Sequence, residues 1–181
     1  MPSARGNLTW HPLADRTDLV APAVAAAVAA AASLAPDAEV AEIDPTLADT
    51  AAFCAAYDVA PEASANCVVV EGRRGERVVH AAVMVLAVDR ADVNRTIRKH
   101  LDVRKLSFMA QADAEALTGM RQGGMTPIGL PADWVILVDE AVASAGPVVV
   151  GAGERGAKIL VDGATLAALP GAQVVALALP R

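Results

Sequence analysis

The sequence predicts a single α+β domain built on a mixed β-sheet, and three observations lead there. Helical and strand-like patterns follow one another irregularly, without the strict alternation that a doubly wound fold requires. The 181 residues are 55% apolar and only 3% aromatic, enough for one sizeable core assembled from Ala, Val, Leu and Ile. No internal repeat and no linker divides the chain.

The longest apolar stretch, Leu19 to Ala35, is dominated by alanine, which gains little from hydrocarbon. Charged residues of both signs, Arg5, Asp15, Arg16 and Asp18, precede it, a poor match to a signal peptide. It reads as a buried helix over 17–35, with Thr17 or Asp18 as cap, Pro22 in the first turn and Pro36 ending it. Glu39 to Ile43 alternates apolar and charged residues as a short strand does, and Asp49 to Tyr57 is helical. Cys67 to Glu71, a turn at Arg73-Arg74-Gly75 and Arg77 to Val88 predict a hairpin at the centre of the sheet.

From Ala91 to His100 the pattern is helical again, with Val93, Ile97 and Leu101 on one face. A short helix is expected from Gln111 to Leu117, stopped at Gly119. Strands at Trp134 to Val138, Val148 to Val150, Lys158 to Val161 and Gln173 to Leu177 complete the predicted mixed sheet.

Thr118 to Leu130 is neither helix nor strand, because it holds four glycines and a proline between apolar runs. Glycine permits positive φ and close backbone approach, while Pro127 fixes φ, so Gly123 to Pro127 should form a rigid turn that presents backbone donors to a small polar group. A connector that needs tight turns is the alternative.

The formal charge of −6 excludes nucleic-acid binding by bulk attraction. One basic concentration stands out, Arg90, Arg95, Arg98, Lys99, Arg104 and Lys105, diluted by Asp89, Asp92 and Asp102. It reads either as a solvated helix face or as a local contact for a nucleic-acid backbone. Cys54 and Cys67 form no Cys-x-x-Cys pair, and His11, His80 and His100 have no ligand spacing, so no metal and no cofactor are expected. Cys67 opens an apolar strand with no histidine placed to activate it, and a reduced, cytoplasmic setting fits both thiols.

Gly123-Gly124-Met125-Thr126-Pro127 resembles the Gly-x-x-x-Pro loop of the YbaK/ProX-like aminoacyl-tRNA editing domains, also found inserted in bacterial prolyl-tRNA synthetases. The resemblance continues in order through Glu62 to Val70, Arg104 to Phe108, Thr118-Gly119, Val135 to Asp139 and Val148 to Gly153. It covers about residues 40–178, with the helix over 17–35 packed on that core, so that residues 1–181 form one domain. It implies a strongly curved central sheet flanked by helices, and a trans-acting deacylase that clears a mischarged small amino acid from tRNA. The implied partners are the mischarged tRNA and an aminoacyl-tRNA synthetase, with no DNA and no membrane.

In that family the strand opening the central sheet usually begins with a lysine facing the substrate, and here the corresponding residue is Asn66. An amide donates and accepts but carries no charge. The implied catalytic set is Asn66 with Gly123, Gly124, Met125, Thr126 and Pro127, whose backbone would position the ester carbonyl and stabilise an oxyanion, an effect on the order of 3 kcal/mol per well-aimed donor. The substrate's own ribose 2′-hydroxyl would assist proton movement.

Met84 and Val138 are expected on the pocket wall beside Met125 and Thr126, and all four are equally explicable as core filling. Gly151 and Gly153 correspond to a second glycine turn facing the pocket, with a plain strand-to-strand turn as the alternative. The acidic or histidine residue that often follows that turn has no clear counterpart in Glu154 to Lys158. Arg95, Arg98, Lys99, Arg104 and Lys105 are the tRNA-contact candidates. A catalytically weak module that binds an aminoacyl-adenosine-like ligand or a synthetase is the competing function.

Overall fold

A computed structural model of the chain describes residues 3–30 and 36–180. After a two-residue strand β1 (His11–Pro12), Thr17–Leu19 form only a 3₁₀ turn, and helix α1 runs over Pro22–Ala30. The helix therefore starts later than a cap at Thr17 or Asp18 would give, because Pro22 lacks an N–H and fits the first helical position. Residues 31–35 of the expected helix lie outside the described residues. Strand β2 (Glu39–Glu42) and helix α2 (Thr50–Tyr57) fall where the patterns place them, and Asp58 closes α2 in the left-handed region.

The central hairpin pairs β3 (Ala65–Arg74) with β4 (Arg77–Leu86), in register from Ala65↔Leu86 to Arg74↔Arg77. Its turn is Gly75-Glu76, with Gly75 at φ +60, so Arg73 and Arg74 belong to the strand and not to the turn. A two-residue connection with a left-handed glycine matches the right-handed twist of both strands.

The helix expected from Ala91 to His100 is broken into three pieces. Ala91 ends strand β5 (Asp89–Ala91), Val93–Ile97 wind as a π-helical turn, and α3 spans only Arg98–His100. The Asp92 carboxylate accepts from the Thr96 amide at 3.2 Å and its hydroxyl at 2.8 Å, which caps the wide turn from outside. Val93, Ile97 and Leu101 are nevertheless buried on one face, as their spacing requires.

Strand β6 (Lys105–Phe108) leads into α4 (Gln111–Thr118), which Gly119 ends at φ +68. Strand β7 (Val135–Asp139) runs directly into α5 (Glu140–Ala143). Asp139, 4% exposed, accepts from the amides of Ala141, Leu177 and Ala178, each at 2.9 Å, so one buried carboxylate caps α5 and ties down the C-terminal segment. The remaining elements are β8 (Pro147–Gly151), β9 (Ala157–Asp162), α6 (Gly163–Ala167), β10 (Ala172–Val175) and β11 (Ala178–Pro180).

The expected mixed sheet has the order β10-β7-β4-β3-β6, with β4, β7 and β10 parallel and β3 antiparallel to both its neighbours. Strands β8 and β9, expected in that sheet, instead form a separate antiparallel one, β1-β2-β9-β8. Strands β5 and β11 make a third pair.

Side-chain alternation assigns the two faces of the mixed sheet. Met84, Ile136 and Val138 face Val40, Val148, Val150 and Ile159 of the antiparallel sheet, and Val24 of α1 joins them. Val83, Val85 and Leu137 face the other way, onto Val93, Ile97, Leu101 and Leu177. A smaller cluster sets Trp134 beside Val69, Ala82 and Ala114, with Met125 and Leu130 packed against it. The sheets meet at a parallel bridge between Ser64 and Val149, and the site opens beside that junction. Among the described residues no helix is long and apolar enough to cross a membrane.

Candidate functional site

The glycine-rich loop and the turn between β8 and β9 are joined backbone to backbone. Arg121 donates its amide to the Gly153 carbonyl at 2.8 Å, and Gly153 returns its own to Gly124 at 2.6 Å. A Cβ on Gly124 would sit 2.5 Å from the Glu154 carbonyl oxygen, and one on Gly151 would strike the carbonyls of Gly124 and Met125. These glycines are present because two main chains touch. Sequence reasoning reserves Gly124 for approach of the ester, but it faces Glu154. Its amide donates to the Arg121 carbonyl at 2.9 Å, which leaves Gly123 and Met125 as the loop's candidate donors.

Beside this junction lies a cavity of about 310 Å³. Its lining includes Asp49 and Thr50 at the start of α2, Asn66 and Cys67 at the start of β3, Met125 from the loop and Lys158 from β9. Gly123 and Gly151 also reach it, as do Phe108 and Gln111 at the rim.

Other expected site residues lie elsewhere. Met84 and Val138 are completely buried in the core between the sheets and do not line the cavity. Strand alternation turns them toward the antiparallel sheet. Gly153, at φ +80, abuts Ala21, and Pro127 borders a different hollow with Leu130 and Trp134. Thr126 is fully buried, with no hydrogen-bond partner for its hydroxyl among the described residues. Arg95, Arg98, Lys99, Arg104 and Lys105 are all exposed, and none lines the cavity.

Asn66 occupies the position that the sequence reading gave it. The Thr50 hydroxyl donates to its Oδ1 at 2.5 Å, so the amide oxygen is engaged and the NH2 end is left for a ligand. Cys67 packs against two of the hydrophobic clusters, and burial pushes its thiol up to about 12. Burial raises Cys54 as well. Both are neutral thiols at physiological pH and no histidine lines the cavity, so no cysteine nucleophile is assembled there. His80 instead lies 3.3 Å from Glu71 and packs its ring on Trp134, while His100 meets Gln173 at 2.7 Å. Among the described residues no three His, Cys, Asp or Glu side chains are grouped to hold a metal.

The residue that sequence reasoning missed is Lys158. It is 7% exposed, its Nζ donates to the carbonyls of Ala48 at 2.8 Å and Gly123 at 3.3 Å, and it lies 5.1 Å from the centre of the Phe53 ring. No carboxylate comes within 4.0 Å of it among the described residues. Burial pulls its ammonium down to about 8; Cys54 and Asp49 act in the opposite direction, and Arg155 adds to the lowering. The available signal was its context, because a lysine inside Ala157-Lys-Ile-Leu-Val161, a strand buried on both faces, is rarely a solvated charge.

At the mouth, Arg155 donates to the carbonyls of Pro45 at 3.1 Å and Gln122 at 3.0 Å and lies 3.6 Å from Asp49. It thus straps α2 to the glycine loop. Phe108 on the rim is 63% exposed, whereas the only other phenylalanine, Phe53, is fully buried.

Comparison with known proteins agrees with this architecture. The model of the aminoacyl-tRNA editing domain family matches residues 44–169. No curated protein matches by sequence. Among solved structures, a candidate trans-editing enzyme for prolyl tRNA synthetase superposes with a TM-score of 0.72 at 20% identity, over 87% of this chain and 98% of that one. The hypothetical protein APE2540 gives a TM-score of 0.65 at 22% identity, over 73% and 85%. A candidate signal transduction protein from Marinobacter aquaeolei VT8 gives 0.55 at 17% identity, over 87% of this chain but 30% of its own length. At these identities the likeness is one of fold.

Proposed function

The chain belongs to the aminoacyl-tRNA editing domain family, and we propose that it is a trans-acting deacylase that hydrolyses the ester joining a mischarged small amino acid to tRNA. The observation that carries this reading is the cavity itself. It is about 310 Å³, lined by the backbone of the glycine loop together with Asn66, Met125 and Lys158, supplied with donors and without a cysteine or histidine nucleophile.

An aminoacyl ester is already an activated acyl group, so water suffices as nucleophile once the carbonyl is polarised. The water oxygen adds to the carbonyl carbon, and the resulting oxyanion faces the amides of Gly123 and Met125 in the cavity wall. Collapse breaks the bond to the ribose oxygen, which takes the proton given up by the water, relayed by the neighbouring ribose hydroxyl. Asn66, oriented by Thr50, holds the ribose or ester through its NH2 group. Selection by cavity size alone is worth about 1–3 kcal/mol per methylene, enough for a second sieve.

The nucleic-acid end of the substrate lies outside the cavity in this reading. Phe108 offers the terminal base an open ring to stack on. Arg95, Arg98, Lys99, Arg104 and Lys105 serve the phosphate backbone, and an aminoacyl-tRNA synthetase in the cytoplasm is the expected source of the substrate. DNA and membranes are not partners in this scheme. The test is a deacylation screen across tRNAs mischarged with small amino acids, in which at least one ester must be cleaved faster than in buffer.

A second reading follows from one observation: no histidine lines the cavity, and its one carboxylate, Asp49, is at the mouth against Arg155. In that case the domain binds an aminoacyl-adenosine end without cleaving it. Saturable binding with no turnover on any ester would decide for it.

A further inference from the structure

The electrostatics of the cavity are asymmetric. Lys158 stands in its wall as a buried cation. Both of its hydrogen bonds go to neutral backbone carbonyls, those of Ala48 and Gly123. An ammonium has three N–H donors, so one remains for a ligand. Asp49, the nearest acidic residue in the lining, is at the mouth with its side chain 76% exposed and engages Arg155. The ring of Phe53 covers Lys158 on another side and excludes water from it.

An uncompensated buried charge is costly, and a charged partner brought by a ligand relieves that cost. An aminoacyl ester brings its own α-ammonium into the same 310 Å³ cavity. A substrate with an apolar side chain would therefore place two like charges together in a poorly solvated space. A side chain ending in a carboxylate would instead accept the third Lys158 donor and leave one net positive charge in the cavity where an apolar side chain leaves two. The cavity has room for a short acidic residue, and Asn66 opposite can donate to either carboxyl or ester oxygen.

We propose that Lys158 makes this site selective for an acidic aminoacyl group, aspartyl in the first instance. This rests on the deacylase reading for its substrate but concerns recognition, which is measurable separately. Aspartyl and asparaginyl groups have the same shape and differ in charge, so the pair isolates the effect of Lys158.

The experiment measures binding of 3′-aspartylamido- and 3′-asparaginylamido-adenosine, which cannot be hydrolysed, to the full chain at pH 7. It is run beside deacylation of tRNAs charged with aspartate, asparagine and alanine. The wild type should bind the aspartyl analogue at least tenfold more tightly than the asparaginyl one, and Lys158→Met should lose that difference. Equal or weaker binding of the aspartyl analogue by the wild type, or binding of neither, overturns the proposal. So does an aspartyl preference that survives unchanged in folded Lys158→Met. The comparison within the wild type decides the matter even if that variant does not fold. Cleavage of a neutral ester without aspartyl preference would keep the deacylase and remove the selectivity. An aspartyl preference in binding with no ester cleaved would do the reverse.

Discussion

Asn66 and Lys158 line one cavity from two different sheets, Asn66 at the start of β3 and Lys158 in β9. The lysine that the family resemblance leads one to expect at position 66 is absent, and the charge in the cavity comes from the other wall. This relationship reverses the simplest expectation for Asn66→Lys. A lysine there would place a second ammonium in a cavity that already holds one, and it would discard the hydrogen bond from Thr50. We expect at least a tenfold loss of ester cleavage and a lower melting temperature, measured in parallel. A gain in activity would show that the two positions are electrostatically independent.

Gly124→Val is expected to fail as a fold before it fails as a catalyst. Its Cβ would meet the backbone of Glu154, which cannot swing aside as a side chain can. A cost of about 3 kcal/mol or more in urea unfolding is expected, in the range of severe steric substitutions. Gly75→Ala is the control: φ is +60 there and nothing lies within 4 Å, so only the backbone penalty of about 1 kcal/mol applies.

Lys158 also predicts an unusual dependence of stability on pH. In the unfolded chain its ammonium keeps its proton to about 10.5, and in the folded chain it loses it near 8. Between these values the unfolded state binds more protons, so stability rises with pH. Cys67 acts oppositely once unfolded thiols ionise near 9, because its folded value is about 12, and Cys54 shifts in the same direction. Between pH 8 and 9 Lys158 alone contributes a gain of about 1 kcal/mol, part of which the unfolded thiols offset as pH approaches 9. Chemical denaturation at half-unit steps should show the rise in the wild type and its absence in Lys158→Met.

Phe108→Ala should leave the melting temperature nearly unchanged, since the ring is mostly in solvent. If the terminal base stacks there, affinity for an aminoacyl-tRNA end falls by about 1–3 kcal/mol. Unaltered affinity would remove Phe108 from the substrate path.

Charge removal at Arg95 with Lys99, or at Arg104 with Lys105, should weaken tRNA binding and reduce the slope of log K against log salt by about 0.7–0.9 for each phosphate that is no longer neutralised. Because none of these residues lines the cavity, preference among amino acids should not change. A constant slope would identify the cluster as a solvated face.

Local chemistry made much of this molecule legible. Gly119 as a helix stop, the β3–β4 pairing and the buried stripe of Val93, Ile97 and Leu101 follow from rules that act over a few residues. The glycine loop was recognisable by composition, yet its purpose was not, because the reason for Gly124 is Glu154, which lies far along the chain. Met84 and Val138 were misplaced because a strand buried on both faces gives no sign of which side meets a cavity and which meets another sheet. The assignment of β8 and β9 to a second sheet likewise depends on pairing between distant segments. Short helices such as α5 and α6 escape periodicity altogether, although Asp139 and Asp162 mark their starts as caps.

Trp134 touches the same cluster as Met125 and Leu130, one on each side of Pro127 in the loop, while Trp10 lies in a separate cluster near the N terminus. The indole at 134 is 5% exposed, so its emission is shielded from solvent as long as that cluster holds. The chain thereby carries its own spectroscopic gauge of loop position. Ligand entry, loop strain and the loosening that precedes unfolding can each be followed by fluorescence without attaching a dye.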